Sequence, residues 1–141
     1  VEQSMEFARN VHEAGLQIHG DFALGHLAET NESMQRTINL AKEMNPHTAQ
    51  FQIMIPFKKT TFYDQLDKGD FWSESGEPSY EKIGGASADE IRQTAKSAYR
   101  QFYISSNYLK KIISNPRDYF FNRFDEYIQA IPAITWRRWI K

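Results

Sequence analysis

A chain of 141 residues, 25% charged and 40% hydrophobic with a formal net charge of −1, is the size of one domain around one core. It has no cysteine, which excludes disulfides and thiolate metal sites, and no apolar run approaches the roughly 20 residues that a membrane-spanning helix needs. The charge is uneven, with 9 basic and 15 acidic side chains in residues 1–96 against 8 basic and 3 acidic in 97–141. No basic, apolar leader opens the chain, so a cytosolic protein is expected. Val1-Glu2-Gln3-Ser4, lacking an initiator Met, reads as cut from inside a longer sequence.

Met5, Ala8, Val11 and Ala14 recur at helical spacing, and Gly15 stands where a left-handed residue would stop the helix. From Leu16 to Leu24 the pattern changes to alternation. Leu16, Ile18, Phe22 and Leu24 share one face and Gln17, His19, Asp21 and Ala23 the other, which predicts a strand. Gly20 within it weakens a strand unless something must come close to the backbone. Thr30 then caps a helix carrying Met34, Ile38, Ala41 and Met44, ended by Asn45-Pro46. A second strand is predicted over Ala49 to Ile55, with Phe51, Ile53 and Ile55 facing one way and Pro56 closing the run. The order helix, strand, helix, strand implies a parallel βαβ unit with a right-handed crossover.

Lys58 to Gly85 is irregular apart from a short helix predicted at Thr61 to Lys68 and stopped by Gly69. Ser87 and Glu90 form a capping box for a long helix reaching about Tyr103, with Ile91, Ala95, Ala98 and Phe102 on its buried stripe. Further helical patterns cover Asn107 to Ser114 and Arg117 to about Ala130. Two parallel strands do not stand alone, because parallel sheet is almost always buried and its free edges invite pairing. Neighbouring strands from the rest of a longer chain, or self-association through exposed strand edges, are therefore expected.

The segment Ala14 to Thr30 resembles the fifth strand of the radical S-adenosylmethionine barrel and the G-x-x-x-E turn after it, usually written GLPGET. Gly25, Glu29 and Thr30 match, while Leu27 replaces Pro and Ala28 the second Gly. Asn45 to Phe57 is similar to the sixth strand, whose family form is close to LNPDTAQFSIATPYPGT, with Lys58-Lys59 in place of Pro-Gly, then Thr60 and Phe62-Tyr63. Ser87 to Ile91, Ala98 to Tyr103 and Tyr108-Leu109 resemble the helical extension of cobalamin-binding members, most of all the anaerobic oxidative cyclases of magnesium-protoporphyrin IX monomethyl ester, which implies radical oxidation of a porphyrin side chain to close the fifth ring in the parent enzyme.

The resemblance implies an α/β fragment: residues 1–86 as the C-terminal part of a partial (β/α) barrel and 87–141 as a helical extension packed on it. Its implied partners are the remainder of the barrel and an N-terminal cobalamin domain. The implied cofactors of the parent enzyme are S-adenosylmethionine, a 4Fe–4S cluster and cobalamin. The family's C-x-x-x-C-x-x-C is absent, so the fragment alone is expected to bind no cofactor and to be inactive. By the resemblance, Gly25, Glu29, Ile53 and Ile55 border S-adenosylmethionine at the C-terminal ends of the strands. On the residues alone, Phe51, Ile53 and Ile55 are first of all core residues of a buried strand, and Glu29 equally satisfies backbone donors at a helix start. His19 and Asp21 face substrate if their side of the strand lines the barrel.

Other chemistries have little support. The four histidines lack metal-ligand spacing, Asp64, Asp67 and Asp70 lack the calcium-loop pattern, and neither a P-loop nor a nucleophile elbow is present. The basic, aromatic tail suits a packed helical cap better than a nucleic-acid platform, so no nucleic acid is expected. The alternatives are another cobalamin-dependent radical enzyme, such as a methyltransferase, and a stand-alone α/β binding module using that tail.

Overall fold

The computed structural model describes residues 1–116, and the chain divides into two compact units, Val1–Ser105 and Ser106–Lys141. The helical pattern at Arg117 to Ala130, and the aromatic residues of the tail within and beyond it, lie outside the described residues. In the second unit a helix, α5, spans Ser106–Ser114, one residue earlier than its pattern suggested. Helices α1 to α4 and both strands belong to the first unit.

Helix α1 spans Glu2–Glu13, and Gly15 takes the left-handed conformation expected of it at φ +69°. The stop reaches further than the alternation suggested. Leu16 N–H still donates to Val11 O at 3.1 Å, its side chain is exposed, and strand β1 begins only at His19 and runs to Leu24. Leu16 is therefore not a core residue: its backbone serves the helix end. Within β1 the alternation is strict, with Gly20, Phe22 and Leu24 buried and His19, Asp21 and Ala23 exposed. Gly20 has a steric reason, since a Cβ there would come 2.7 Å from the Phe22 ring and 3.2 Å from Pro46 Cγ.

Helix α2 spans Asn31–Met44. Thr30 and Ser33 cap it reciprocally, Ser33 N–H donating to Thr30 Oγ1 at 3.0 Å and Thr30 N–H to Ser33 Oγ at 2.9 Å. Asn45 ends it at φ +48°, a conformation its short polar side chain tolerates. Strand β2, Thr48–Ile53, then pairs with β1 in parallel, Phe22 opposite Phe51 and Leu24 opposite Ile53. The expected parallel βαβ unit is present. Its second strand stops short of the sequence reading: Met54 N–H donates to Leu24 O at 2.8 Å, and Ile55 beyond it is 67% exposed. Ile55 is thus not a core residue.

Helix α3 spans Thr61–Gly69, and Asp70, not Gly69, takes the left-handed position at φ +49°. Gly69 is demanded by packing instead, as a Cβ would lie 2.1 Å from the Phe71 ring. The loop after α3 includes a 3₁₀ turn at Glu81–Ile83. Helix α4 spans Ala88–Tyr103 behind the predicted capping box, Glu90 N–H donating to Ser87 Oγ at 3.1 Å and Ser87 N–H to Glu90 Oε2 at 2.8 Å. The Ser87 amide, then Asn31, lowers the Glu90 carboxyl below its usual range.

α2 packs on β1 and α4 on β2, and the two helices pack on each other. Met34, Ile38 and Ala41 of α2 and Ile91, Ala95, Ala98 and Phe102 of α4 are buried, as are Phe22 and Phe51, whose rings stack at 5.4 Å. The sheet therefore buries one face. The other, carrying His19, Asp21, Gln50 and Gln52, is exposed and polar.

Candidate functional site

At the C-terminal end of β1 the chain turns back through Gly25–Glu29 before entering α2, and the Glu29 carboxylate holds that turn closed. Its Oε2 accepts from Gly25 N–H at 3.2 Å and His26 N–H at 3.3 Å, and its Oε1 from the Ser33 hydroxyl. A carboxylate beside the first amides of a helix also meets the positive end of the helix dipole. Both oxygens are engaged by protein groups, so Glu29 shapes the turn.

A second segment fastens the same turn from outside. The Tyr80 hydroxyl donates to Gly25 O at 3.1 Å, and Ala86 N–H donates to Glu29 O at 2.8 Å. Tyr80 and Ala86 are joined to each other, Tyr80 N–H donating to Ala86 O at 2.9 Å. Tyr80 is fully buried, with Leu24, Met34, Leu66 and Ile91 in the same core. Burial, with a smaller contribution from the Glu29 charge, pushes its hydroxyl up to about 12.

Two glycines make this closeness possible. A Cβ on Gly85 would lie 2.6 Å from Tyr80 Cβ and 2.7 Å from Glu29 O. A Cβ on Gly25, whose φ is +84°, would lie 3.2 Å from Ile91 Cγ2 and 3.6 Å from Ile53 Cγ2. Ala28 also sits at positive φ, +59°, where a Cβ is strained.

Of the four residues the resemblance singled out, Gly25 and Ile53 come together at the strand ends and Glu29 closes the turn beside them. Ile55 lies two residues past β2 with its side chain out, and Phe57 is equally exposed. Tyr80, Gly85 and Ser33 were not found by sequence reasoning. The one signal was Gly84-Gly85, whose tight spacing reflects steric closeness at Gly85 and a left-handed turn at Gly84, φ +75°.

On the open sheet face, His19 Nδ1 lies 2.6 Å from Thr48 Oγ1 and its Nε2 lies 3.3 Å from Asp21 Oδ1. The other histidines are dispersed in structural roles. His12 Nε2 donates to Met44 O at 3.1 Å, His47 Nδ1 accepts from Ile18 N–H at 3.2 Å, and His26 stacks on Phe62. Asp70 pairs with Lys82. Among the described residues no three His, Asp or Glu side chains group to hold a metal ion, and no helix is long and apolar enough to cross a membrane.

The fold is that of a mixed α/β unit built on a parallel βαβ core, with its tied turn at the strand ends. A curated protein, an uncharacterized methyltransferase of Pyrococcus horikoshii, is 25% identical to it over an alignment of 118 positions that covers 79% of this chain and 26% of that protein. The chain thus spans about a quarter of the length of the relative it matches. No family model matches the chain, and neither does any solved structure.

Proposed function

We propose that this chain is the distal part of a radical S-adenosylmethionine enzyme of the cobalamin-binding type, with β1 and β2 as two strands of its (β/α) barrel. The observation that carries the reading is a G-x-x-x-E turn that leaves a parallel strand, closes on its own carboxylate and leads through a helix to the neighbouring strand. The sheet supports it as well. Among the described residues of the first unit, helices cover one face only, and the open face is polar, as a barrel wall is before its remaining strands are added.

Methyl transfer is the reaction favoured by the name of the Pyrococcus protein. Oxidative closure of the fifth ring of magnesium-protoporphyrin IX monomethyl ester is the second reading, favoured by the motifs at Asn45 to Phe57 and Ser87 to Leu109. For S-adenosylmethionine the residues present fit: Ile55 and Phe57 offer exposed apolar side chains past β2, suited to an adenine face, beside the turn at Gly25. When bound, that cofactor supplies the transferable methyl group or the adenosyl fragment. A 4Fe–4S cluster does not fit these residues, because the chain has no thiolate and the ligands would have to come from elsewhere in the parent.

Reading the coding sequence upstream of Val1 tests the proposal, with C-x-x-x-C-x-x-C expected on the same polypeptide. The native polypeptide is expected to retain S-adenosylmethionine in anaerobic equilibrium dialysis. A native polypeptide with neither the cysteine motif nor binding overturns the reading.

A further inference from the structure

The two edges of the sheet are treated differently. In a parallel pair, alternate residues turn their backbone groups toward the partner strand and away from it. Thr48 N–H donates to Ile18 O and Met54 N–H to Leu24 O, so Ala49, Phe51 and Ile53 turn theirs to the outer edge of β2. On that edge the Tyr103 hydroxyl accepts from Ala49 N–H at 3.1 Å and donates to Ala49 O at 3.0 Å. The Tyr99 hydroxyl does the same for Phe51, at 3.1 Å from its N–H and 3.2 Å from its O.

Each hydroxyl therefore takes both bonds that a neighbouring strand would make. The match follows from the rises of the two elements: four helical residues advance about 6.0 Å and two strand residues about 6.6 Å, so tyrosines four apart on α4 meet strand residues two apart. One turn earlier the series ends, because position 95 is Ala. By the same alternation His19, Asp21 and Ala23 face the outer edge of β1, where no side-chain cap of this kind is found among the described residues.

We infer that Tyr99 and Tyr103 lock the β2 edge against strand addition, so that a second copy of this chain, or any added strand, joins the sheet beside β1 only. The lock is made of hydroxyl bonds and not of ring packing alone, which makes it separable by isosteric substitution.

Amide exchange on the chain itself tests it. In the wild type the amides of Ala49 and Phe51 should exchange roughly tenfold more slowly than those of Asp21 and Ala23, the difference expected of about one hydrogen bond. Tyr99→Phe should release the Phe51 amide by a similar factor and leave that of Ala49 within about twofold, and Tyr103→Phe should do the reverse. In the double variant, analytical ultracentrifugation should show self-association at least tenfold tighter than the wild type. Equal protection at the two edges, both amides loosening together in each single variant, or unchanged association of a folded double variant would overturn the inference. Should the double variant not fold, the wild-type and single-variant exchange patterns decide it.

Discussion

The two turns at the C-terminal ends of the strands lie side by side in the fold and are built in opposite ways. After β1, Gly25–Glu29 is held by a carboxylate from within, a buried phenol and a backbone amide from without, and two glycines that let these parts touch. After β2 the chain leaves past an exposed Ile55 and Phe57, and Lys59 sits at φ +71° with Thr60 N–H donating to Phe57 O at 3.2 Å. The first turn is made rigid at the expense of buried polar groups that must stay bonded, and the second leaves apolar surface in water.

Breaking the first turn should have the largest effect. Glu29→Ala leaves the Gly25 and His26 amides without their acceptor, while the Ser33 hydroxyl keeps Thr30 O at 2.9 Å, and is expected to cost about 2–4 kcal/mol in urea unfolding. Glu29→Gln, which keeps one carbonyl oxygen, should cost about half of that. Next, Tyr80→Phe leaves Gly25 O without its donor in the core, with an expected loss of about 1–2 kcal/mol.

The same tyrosine gives the turn a pH signature. Its folded-state value of about 12 lies above the ordinary 10.0, so the stabilisation is complete below pH 10.0 and lost as pH rises through about 12. Urea midpoints at about pH 9 and about pH 11 should differ less in Tyr80→Phe than in the wild type. Equal differences in the two proteins would show that the phenol does not titrate as the buried site requires.

A smaller effect of opposite sign sharpens the comparison. Ala28→Gly relieves a left-handed Cβ and should stabilise the first turn by up to about 1 kcal/mol. A loss of stability would mean that the Ala28 methyl group is worth more in contacts than its strain. At the second turn, Ile55→Ser should move the unfolding free energy by no more than about 0.5 kcal/mol. A larger loss would show Ile55 covered in solution, and the contrast between the two turns would fail.

Local features were legible before the fold was. Thr30 and Asn45 bound α2, Ser87 and Glu90 open α4, and Gly15 turns left-handed because caps and stops depend on side chains a few residues away. The faces of β1 and α4 were legible for the same reason, since a periodicity of two or near four states which side is buried. The strand limits were less so. Leu16 and Ile55 continue the alternation of their strands, yet a helix end claims the backbone of one and a departing loop carries the other into solvent.

The order of elements, their caps and the G-x-x-x-E turn are short-range consequences of residue type and could be read along the chain. It took long-range packing to bring Tyr80 to Gly25 across 55 positions, to lay Gly85 against Glu29, and to let Tyr99 and Tyr103 close an edge 48 and 54 residues away. A tyrosine looks the same in sequence whether its hydroxyl meets water or a backbone amide. Which it meets is set by where distant elements pack, and that follows from burying the whole apolar face at once.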